Sequence, residues 1–305
     1  MPREVFDSIV VGGGPAGLSA AIYLGRFLRK TVVIDNGAGR SSGPQLNENY
    51  FGFPRGVKAS RLRELGRSQA ERFGVHFATG TVASAAMQGD LFVLNGDCGR
   101  WRGRTLILAS GVTDVWPTFP GVQRHIGRSL FWCITCDGFR TRGKKLVLVG
   151  ADKEAAVTAR QFLVYTDDIL FVEETVEGDN ALASRQLASM RKQGIEVVQG
   201  RVERTVGGAG RLRAVEVNGE RYPADIIFSL LGSVPNSQLA AQLGALLDER
   251  GYINITSEQR TNVPRLFAAG DVTGRHAHQV SSAVHEGAMA GQAANFDLYA
   301  EFQKS

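Results

Sequence analysis

Between residues 6 and 35 the chain runs strand, glycine turn, helix, strand, acid. FDSIVV (6–11) is a short strand-like run, GGGPAG (12–17) follows, and an apolar pattern of helical period extends to Leu28. TVVID (31–35) is a second strand that ends on Asp35. Each residue type in this order answers a separate steric demand. Gly12 admits the tight turn, Gly14 lets a pyrophosphate come close to the backbone, and Gly17 lets the helix pack against the strand. Pro15 and Ala16 open the helix, whose first amides point at the phosphates. Asp35 lies roughly 20 residues beyond the turn, where a ribose hydroxyl needs an acceptor. A bare GxGxxG is often an ordinary glycine turn. With two strands, a helix and an acid in place, it predicts a dinucleotide-binding α/β module.

A length of 305 residues leaves room for about two domains at roughly 150 residues each. Apolar residues at 43% and charged residues at 21% fit a folded core rather than disorder. No apolar run approaches the ~18 residues of a membrane span. The strand-like run begins by Phe6, which leaves no space for a signal peptide, and only three cysteines occur, too few for a disulfide scaffold. A cytoplasmic protein without membrane contact is expected. The net charge of +5 is mildly basic and suits an acidic partner, but no Lys/Arg block resembles a nucleic-acid arm.

The fingerprint alone does not separate NAD from FAD. Two distant segments, RTLILASGV (104–112) and TNVPRLFAAGDV (261–272), resemble the paired motifs of two-dinucleotide-binding flavoproteins. The first contributes Ala109, Ser110 and Gly111, the second Gly270 and Asp271. The resemblance implies FAD, with Asp271 on its ribityl chain.

FWCITCDGF (131–139) carries a CxxC followed by Asp137. Zinc needs about four ligands, and the remaining cysteine, Cys98, is isolated. Histidine partners and a structural disulfide stay open. Redox exchange fits best, because a vicinal dithiol passes two electrons through a mixed disulfide and the adjacent carboxyl handles the proton. At this point the chain resembles the low-molecular-weight thioredoxin reductases over nearly its whole length, through GGGPAG, QLNENYFGFP (45–54), ASGV, CITCDG, AAGDV and HQVSSAVHEGAMAG (278–291). The resemblance implies two Rossmann-like FAD/NAD(P)-binding domains and a homodimer. Residues 1–115 with 238–305 would form a discontinuous FAD domain, and 116–237 an inserted NAD(P)-like domain. It further implies that Cys136 faces the flavin, Cys133 attacks a thioredoxin-like or small disulfide substrate, and Asp137 is the acid–base. Gln45, Leu46, Asn49, His278, Gln279 and Val280 fall where the family meets FAD.

The inserted module repeats the first: KKLVLVG (144–150) matches the strand into Gly12, and Glu173, at the end of DILFVE (168–173), matches Asp35. Its turn breaks the pattern. Asp152 stands where the second glycine should admit a pyrophosphate, and its charge opposes phosphate. Where the family carries a basic stretch for a 2′-phosphate, this chain has Glu173, Glu174 and Glu177. The nicotinamide site is therefore expected to be lost, unless Lys153 swings in to rescue weak binding. Electrons would come from another donor, as in ferredoxin-dependent flavin thioredoxin reductases. The alternatives are a dithiol oxidase of the gliotoxin and holomycin type, against which Asp137 in place of histidine counts, an ordinary NADPH-dependent reductase, and a flavin-binding regulatory protein.

The stretch 55–67 concentrates Arg55, Lys58, Arg61, Arg63 and Arg67 and is a candidate docking patch, or a solvated helix face. His276, His278 and His285 suggest helix-start polarity near FAD more than a metal site. Phe296, Tyr299 and Phe302 have the spacing of a packed amphipathic end. Trp132 is a wall beside the thiols, or core.

Overall fold

The computed structural model describes residues 4–174, 182, 184–208, 211–276 and 278–302. The chain forms two compact units, residues 1–113 with 234–305 and residues 114–233.

The first unit opens with β1 (Val5–Val11), α1 (Pro15–Arg26) and β2 (Thr31–Asp35), followed by α2 (Ala59–Glu71) and β3 (His76–Thr79). A meander of β4 (Val82–Gln88), β5 (Leu91–Gly96) and β6 (Gly99–Leu108) comes next. The second unit contains β7 (Leu130–Phe131), α3 (Ile134–Asp137), β8 (Leu146–Gly150), α4 (Lys153–Gln161), β9 (Ile169–Glu173), α5 (Ser184–Lys192) and β10 (Glu196–Gln199). It closes with β11 (Val202–Gly208), β12 (Arg211–Val217), β13 (Glu220–Pro223) and β14 (Ile226–Ser229). The chain returns to the first unit with β15 (Leu266–Ala268) and the long helix α6 (Val280–Phe302).

In the first unit the strand order is β3-β2-β1-β6-β5-β4, with β15 pairing the far end of β6. β1, β2, β3, β6 and β15 are mutually parallel where they pair. Their central residues are buried on both faces, hence the continuous β-branched runs of β1 and β2. Alternate side chains go to opposite cores. Val10, Val33, Ile107 and Phe267 pack with the alanines of α1 and α6, while Ile9, Ile34, Leu106 and Leu108 join Phe92 and Ile253.

The second unit has a parallel sheet, β7-β14-β8-β9-β10, and an antiparallel one, β11-β12-β13. Phe131, Phe162, Phe171 and Phe228 form one core with α4 and α5. Val147, Val149 and Val172 meet Val202, Leu212 and Val215 in the other. Both units thus have the Rossmann-like order of strand, turn, helix and parallel strand, with the turn at the carboxyl end of β1 in the first unit and of β8 in the second. Among the described residues no helix is long and apolar enough to cross a membrane.

Candidate cofactor cradle and dithiol centre

In the first unit the fingerprint turn is shaped by what a side chain would strike. Gly12 has φ +105°, and a Cβ there would lie 2.2 Å from the carbonyl oxygen of Ala109, at the end of β6. A Cβ on Gly17 would lie 1.9 Å from the Gly12 carbonyl oxygen. Gly14 is different: a Cβ there has only Ser41 Oγ nearby, at 3.6 Å. Gly14 is the N-cap of α1, with Pro15 and Ala16 following, and no side chain caps the helix. The first amides of α1 are therefore open to an anion. Asp35 ends β2 with Oδ1 accepting from the Gly13 amide at 2.9 Å. Its other oxygen accepts from Arg63, which also donates to the Gly13 carbonyl at 3.1 Å and to Ser42 Oγ at 2.5 Å.

A second cluster gathers residues from distant parts of the same unit. Gly270, at φ +80°, turns the chain into Asp271. Asp271 Oδ2 accepts from Arg40 Nη1 at 2.8 Å, and the same guanidinium nitrogen lies 3.3 Å from His278 Nδ1. Gln45 Nε2 donates to the Arg40 carbonyl at 2.5 Å, while Gln45 Oε1 is buried with no partner among the described residues, as is Asn47 Nδ2. Leu46 pairs with Lys58 in a short two-stranded ribbon. Asn49 Nδ2 donates to Gln279 Oε1 at 2.8 Å, just before Val280 begins α6. Ser110 Oγ donates to the Asn236 carbonyl at 2.7 Å, and the Gly111 carbonyl accepts from the Asn236 amide at 3.0 Å. An uncapped helix over an open glycine, a ribose-distance acid and unsatisfied amide atoms in the flavin-side loop are the donor and acceptor set an FAD requires. The residues fit the cofactor.

In the second unit Cys133 and Cys136 form a disulfide across the first turn of α3, with Cα atoms 5.2 Å apart. Both are half-buried. Cys133 is the N-cap of this turn: its Sγ accepts from the Cys136 amide at 3.1 Å and its carbonyl accepts from the Asp137 amide at 2.9 Å. Asp137 is buried, and its Oδ1 accepts from Arg140 Nε at 2.8 Å. Arg140 is about a third exposed and its guanidinium stands over Phe131. Trp132 packs edge-on against Trp116, with centroids 5.1 Å apart. A disulfide with a buried carboxylate one residue away can accept two electrons and exchange protons.

The equivalent turn of the second unit is filled from within. Asp152 is the N-cap of α4, and its Oδ1 accepts from the Ala155 amide at 2.7 Å. A carboxylate thus occupies the helix N-terminus that the first unit leaves uncapped at Gly14. Glu173 is 1% exposed; its oxygens accept from the Leu182 amide and from Gln199 Nε2, each at 2.9 Å. Its hydrogen-bonding capacity goes into the fold. Glu174 has a buried Oε2 with no partner among the described residues, and burial raises its pKa against the opposing charge of Arg201. Glu177 lies outside the described residues.

Two sequence expectations need correction. Arg63 is not part of an exposed basic patch: it faces the fingerprint turn. Arg61 and Arg67 have acids one turn away, Glu64 and Glu71, and pair with them on the surface. Arg63 has no such acid on its own helix, and Asp35 takes it. The aromatic end of α6 is not packed either. Phe296 and Tyr299 are mostly exposed, because Ala290, Ala293, Ala294 and Leu298 form the buried stripe there; the Phe302 side chain lies outside the described residues. The three histidines go separate ways: His278 to Arg40, His276 to Glu286, and His285 to the surface. Sequence reading missed Arg40 and Arg140 as well, and the one available signal was an arginine inside a Gly/Ser loop at Arg40.

Comparison with known proteins agrees with this chemistry. Residues 6–287 match the pyridine nucleotide-disulphide oxidoreductase family. A thioredoxin reductase of Treponema pallidum is 31% identical, with 95% of this chain and 96% of that protein covered. One from Listeria monocytogenes is 28% identical, covering 98% of this chain and 95% of that protein. The crystal structure of HlmI superposes with a TM-score of 0.88 at 28% identity, covering 98% of this chain and 94% of the other. With a cradle that fits FAD in one unit and a CxxC disulfide in the other, the chain belongs to the pyridine nucleotide-disulphide oxidoreductase family, as a flavin-dependent disulfide oxidoreductase of the thioredoxin reductase kind.

Proposed function

We propose that this enzyme takes its electrons from a small acidic redox protein of ferredoxin type, and not from a pyridine nucleotide. It passes them through Cys133 and Cys136 to a thioredoxin-like protein or a small disulfide. The observation that carries the donor reading is Asp152. Its carboxylate caps α4 through the Ala155 amide, so a diphosphate arriving there meets a negative charge and a used donor. Gly12, Gly14 and Gly17, with the α1 amides, would hold the FAD pyrophosphate; Asp35 the ribose; Asp271, Gln45 and Gln279 the flavin end. Bound FAD supplies two-electron exchange with the Cys133–Cys136 disulfide.

The thiol steps belong to the chain. The Cys133 thiolate attacks the substrate disulfide, forming a mixed disulfide and releasing one substrate thiolate. Asp137 delivers the proton that thiolate needs. Cys136, as thiolate, then attacks the Cys133 sulfur, restoring the Cys133–Cys136 disulfide and expelling the second substrate sulfur as a thiolate, which takes its proton from solvent. Resemblance to the reductases supports this division of roles, and likewise a homodimer, which sedimentation analysis tests.

Anaerobic mixing of the yellow protein with NADPH, NADH, reduced ferredoxin and small dithiols, followed by flavin absorbance, tests the donor. Bleaching by ferredoxin and not by either nucleotide is expected. Rapid stoichiometric reduction by sub-millimolar NADPH ends the proposal, and fast oxygen consumption with dithiols but no ferredoxin reaction replaces it with a dithiol oxidase.

A further inference from the structure

We infer that Glu286 is a positioning residue for the cofactor site: its buried carboxylate suspends the Gly270–Thr273 turn, and so Asp271, from helix α6. Glu286 is 2% exposed. Its Oε2 accepts from the Gly270 amide at 2.6 Å and lies 3.3 Å from Thr273 Oγ1. Its Oε1 lies 2.7 Å from His276 Nδ1. The Thr273 hydroxyl is also 3.0 Å from the Gly270 carbonyl, so its single proton serves one of the two acceptors at a time.

A buried carboxylate persists only where donors satisfy it. Here the donors among the described residues all come from one short segment, residues 270–276, on either side of Asp271. The next residue on α6 explains why this anchor matters. A Cβ on Gly287 would lie 2.0 Å from the Ala16 carbonyl oxygen, and one on Gly270 would lie 2.9 Å from Ala16 Cβ. Helix α6 is therefore pressed against the first turn of α1 at Gly287, while Glu286 holds the Asp271 turn. Two consecutive residues set the span between the phosphate end of the cradle and its ribityl end. A turn held this way does not have to be ordered when the cofactor binds, which preserves affinity.

This inference rests on the reading of the Asp271 turn as part of the FAD site, and the experiment separates the two. FAD dissociation constants are measured from recovery of free-flavin fluorescence on dilution of holoenzyme, for the wild type, Glu286→Ala, Glu286→Gln, Asp271→Asn and the Glu286→Ala/Asp271→Asn pair. Glu286→Ala should weaken FAD binding at least tenfold. Glu286→Gln, whose amide oxygen still accepts from Gly270, should restore most of the loss. The double variant should lose less than the product of the single losses, because both act on one turn. If Asp271→Asn weakens FAD and Glu286→Ala stays within twofold of the wild type, or if the two losses simply multiply, the inference is overturned while the site stands. If neither substitution matters, the site reading falls and the inference with it. Should Glu286→Ala not fold, amide exchange in the wild type decides: a protected Gly270 N–H is expected, and free exchange overturns the anchor.

Discussion

At the scale of single residues, the cradle depends on arginines as much as on glycines. Arg63 bridges the Asp35 carboxylate, the Gly13 carbonyl and Ser42 Oγ, so it braces the fingerprint turn from outside. Arg63→Glu would set a second carboxylate against Asp35 beside a diphosphate. FAD affinity should fall at least tenfold, about 1.4 kcal/mol, with purified protein losing most of its 450-nm-region absorbance. Arg61→Glu, on an exposed surface pair, should leave FAD content unchanged, and equal loss in both variants would refute the inward role of Arg63. Leu28 offers a separate test. It ends α1 at φ +60°, is 91% exposed, and accompanies the backbone bond from the Arg29 amide to the Leu24 carbonyl. That left-handed position suits glycine, so Leu28→Gly should stabilise the first unit by about 1 kcal/mol, read as a higher denaturation midpoint. The glycines were legible in the sequence because their steric demands are local. Arg40 and Arg63 were not, because their acids lie 231 and 28 residues away. Only the fold brings them together.

At the scale of elements, α1 and α4 occupy equivalent positions after equivalent strands, yet differ at one N-cap residue. Gly14 leaves α1 uncapped and Asp152 closes α4. The repeat and the acid at this position were both legible from spacing alone. That the acid would turn onto the Ala155 amide was not, since a cap depends on backbone geometry. Asp152→Gly should remove the side-chain cap, destabilising the second unit by only about 0.3 kcal/mol, because glycine is itself tolerated at an N-cap. It should still give no tight NADPH binding by fluorescence titration, because no basic residue stands in for the 2′-phosphate at Glu173 and Glu174. Micromolar binding in Asp152→Gly would show that the single carboxylate is the whole barrier. A second element-level effect comes from His125. It is buried between Ser129 Oγ at 2.7 Å and Thr205 Oγ1 at 3.1 Å. Burial, aided by the charge of Arg124, pulls its pKa below the ordinary histidine value. The folded state therefore holds it neutral, while the unfolded chain takes up a proton below pH ~6.5. Its contribution is complete above that pH and is lost as pH falls towards the lower folded value. Urea midpoints should drop between pH 7.5 and 5.5, and by less in His125→Gln.

At the scale of the whole molecule, the proposed acidic donor needs a surface on which to dock. The chain carries a net charge of +5, and Arg55, Lys58, Arg61 and Arg67 all reach solvent, beside a Phe51 that is 98% exposed. With Arg63 turned inward, these four cations are the part of the basic stretch open to a partner. An acidic donor attracted to them would meet the surface faster at low salt, since opposite-sign patches raise encounter rates roughly 10- to 1,000-fold. The pairs Arg61–Glu64 and Arg67–Glu71 temper that field, which leaves Arg55 and Lys58 as its least compensated members. Stopped-flow reduction of the flavin by reduced ferredoxin should therefore slow steeply between low salt and about 0.5 M, where the Debye length falls below ~5 Å. Charge reversal at Arg55 and Lys58 should slow the bimolecular rate at low salt, leave FAD content intact, and flatten the salt dependence. A rate indifferent to both salt and these substitutions would move the donor to another face, while leaving the dithiol chemistry of Cys133 and Cys136 untouched.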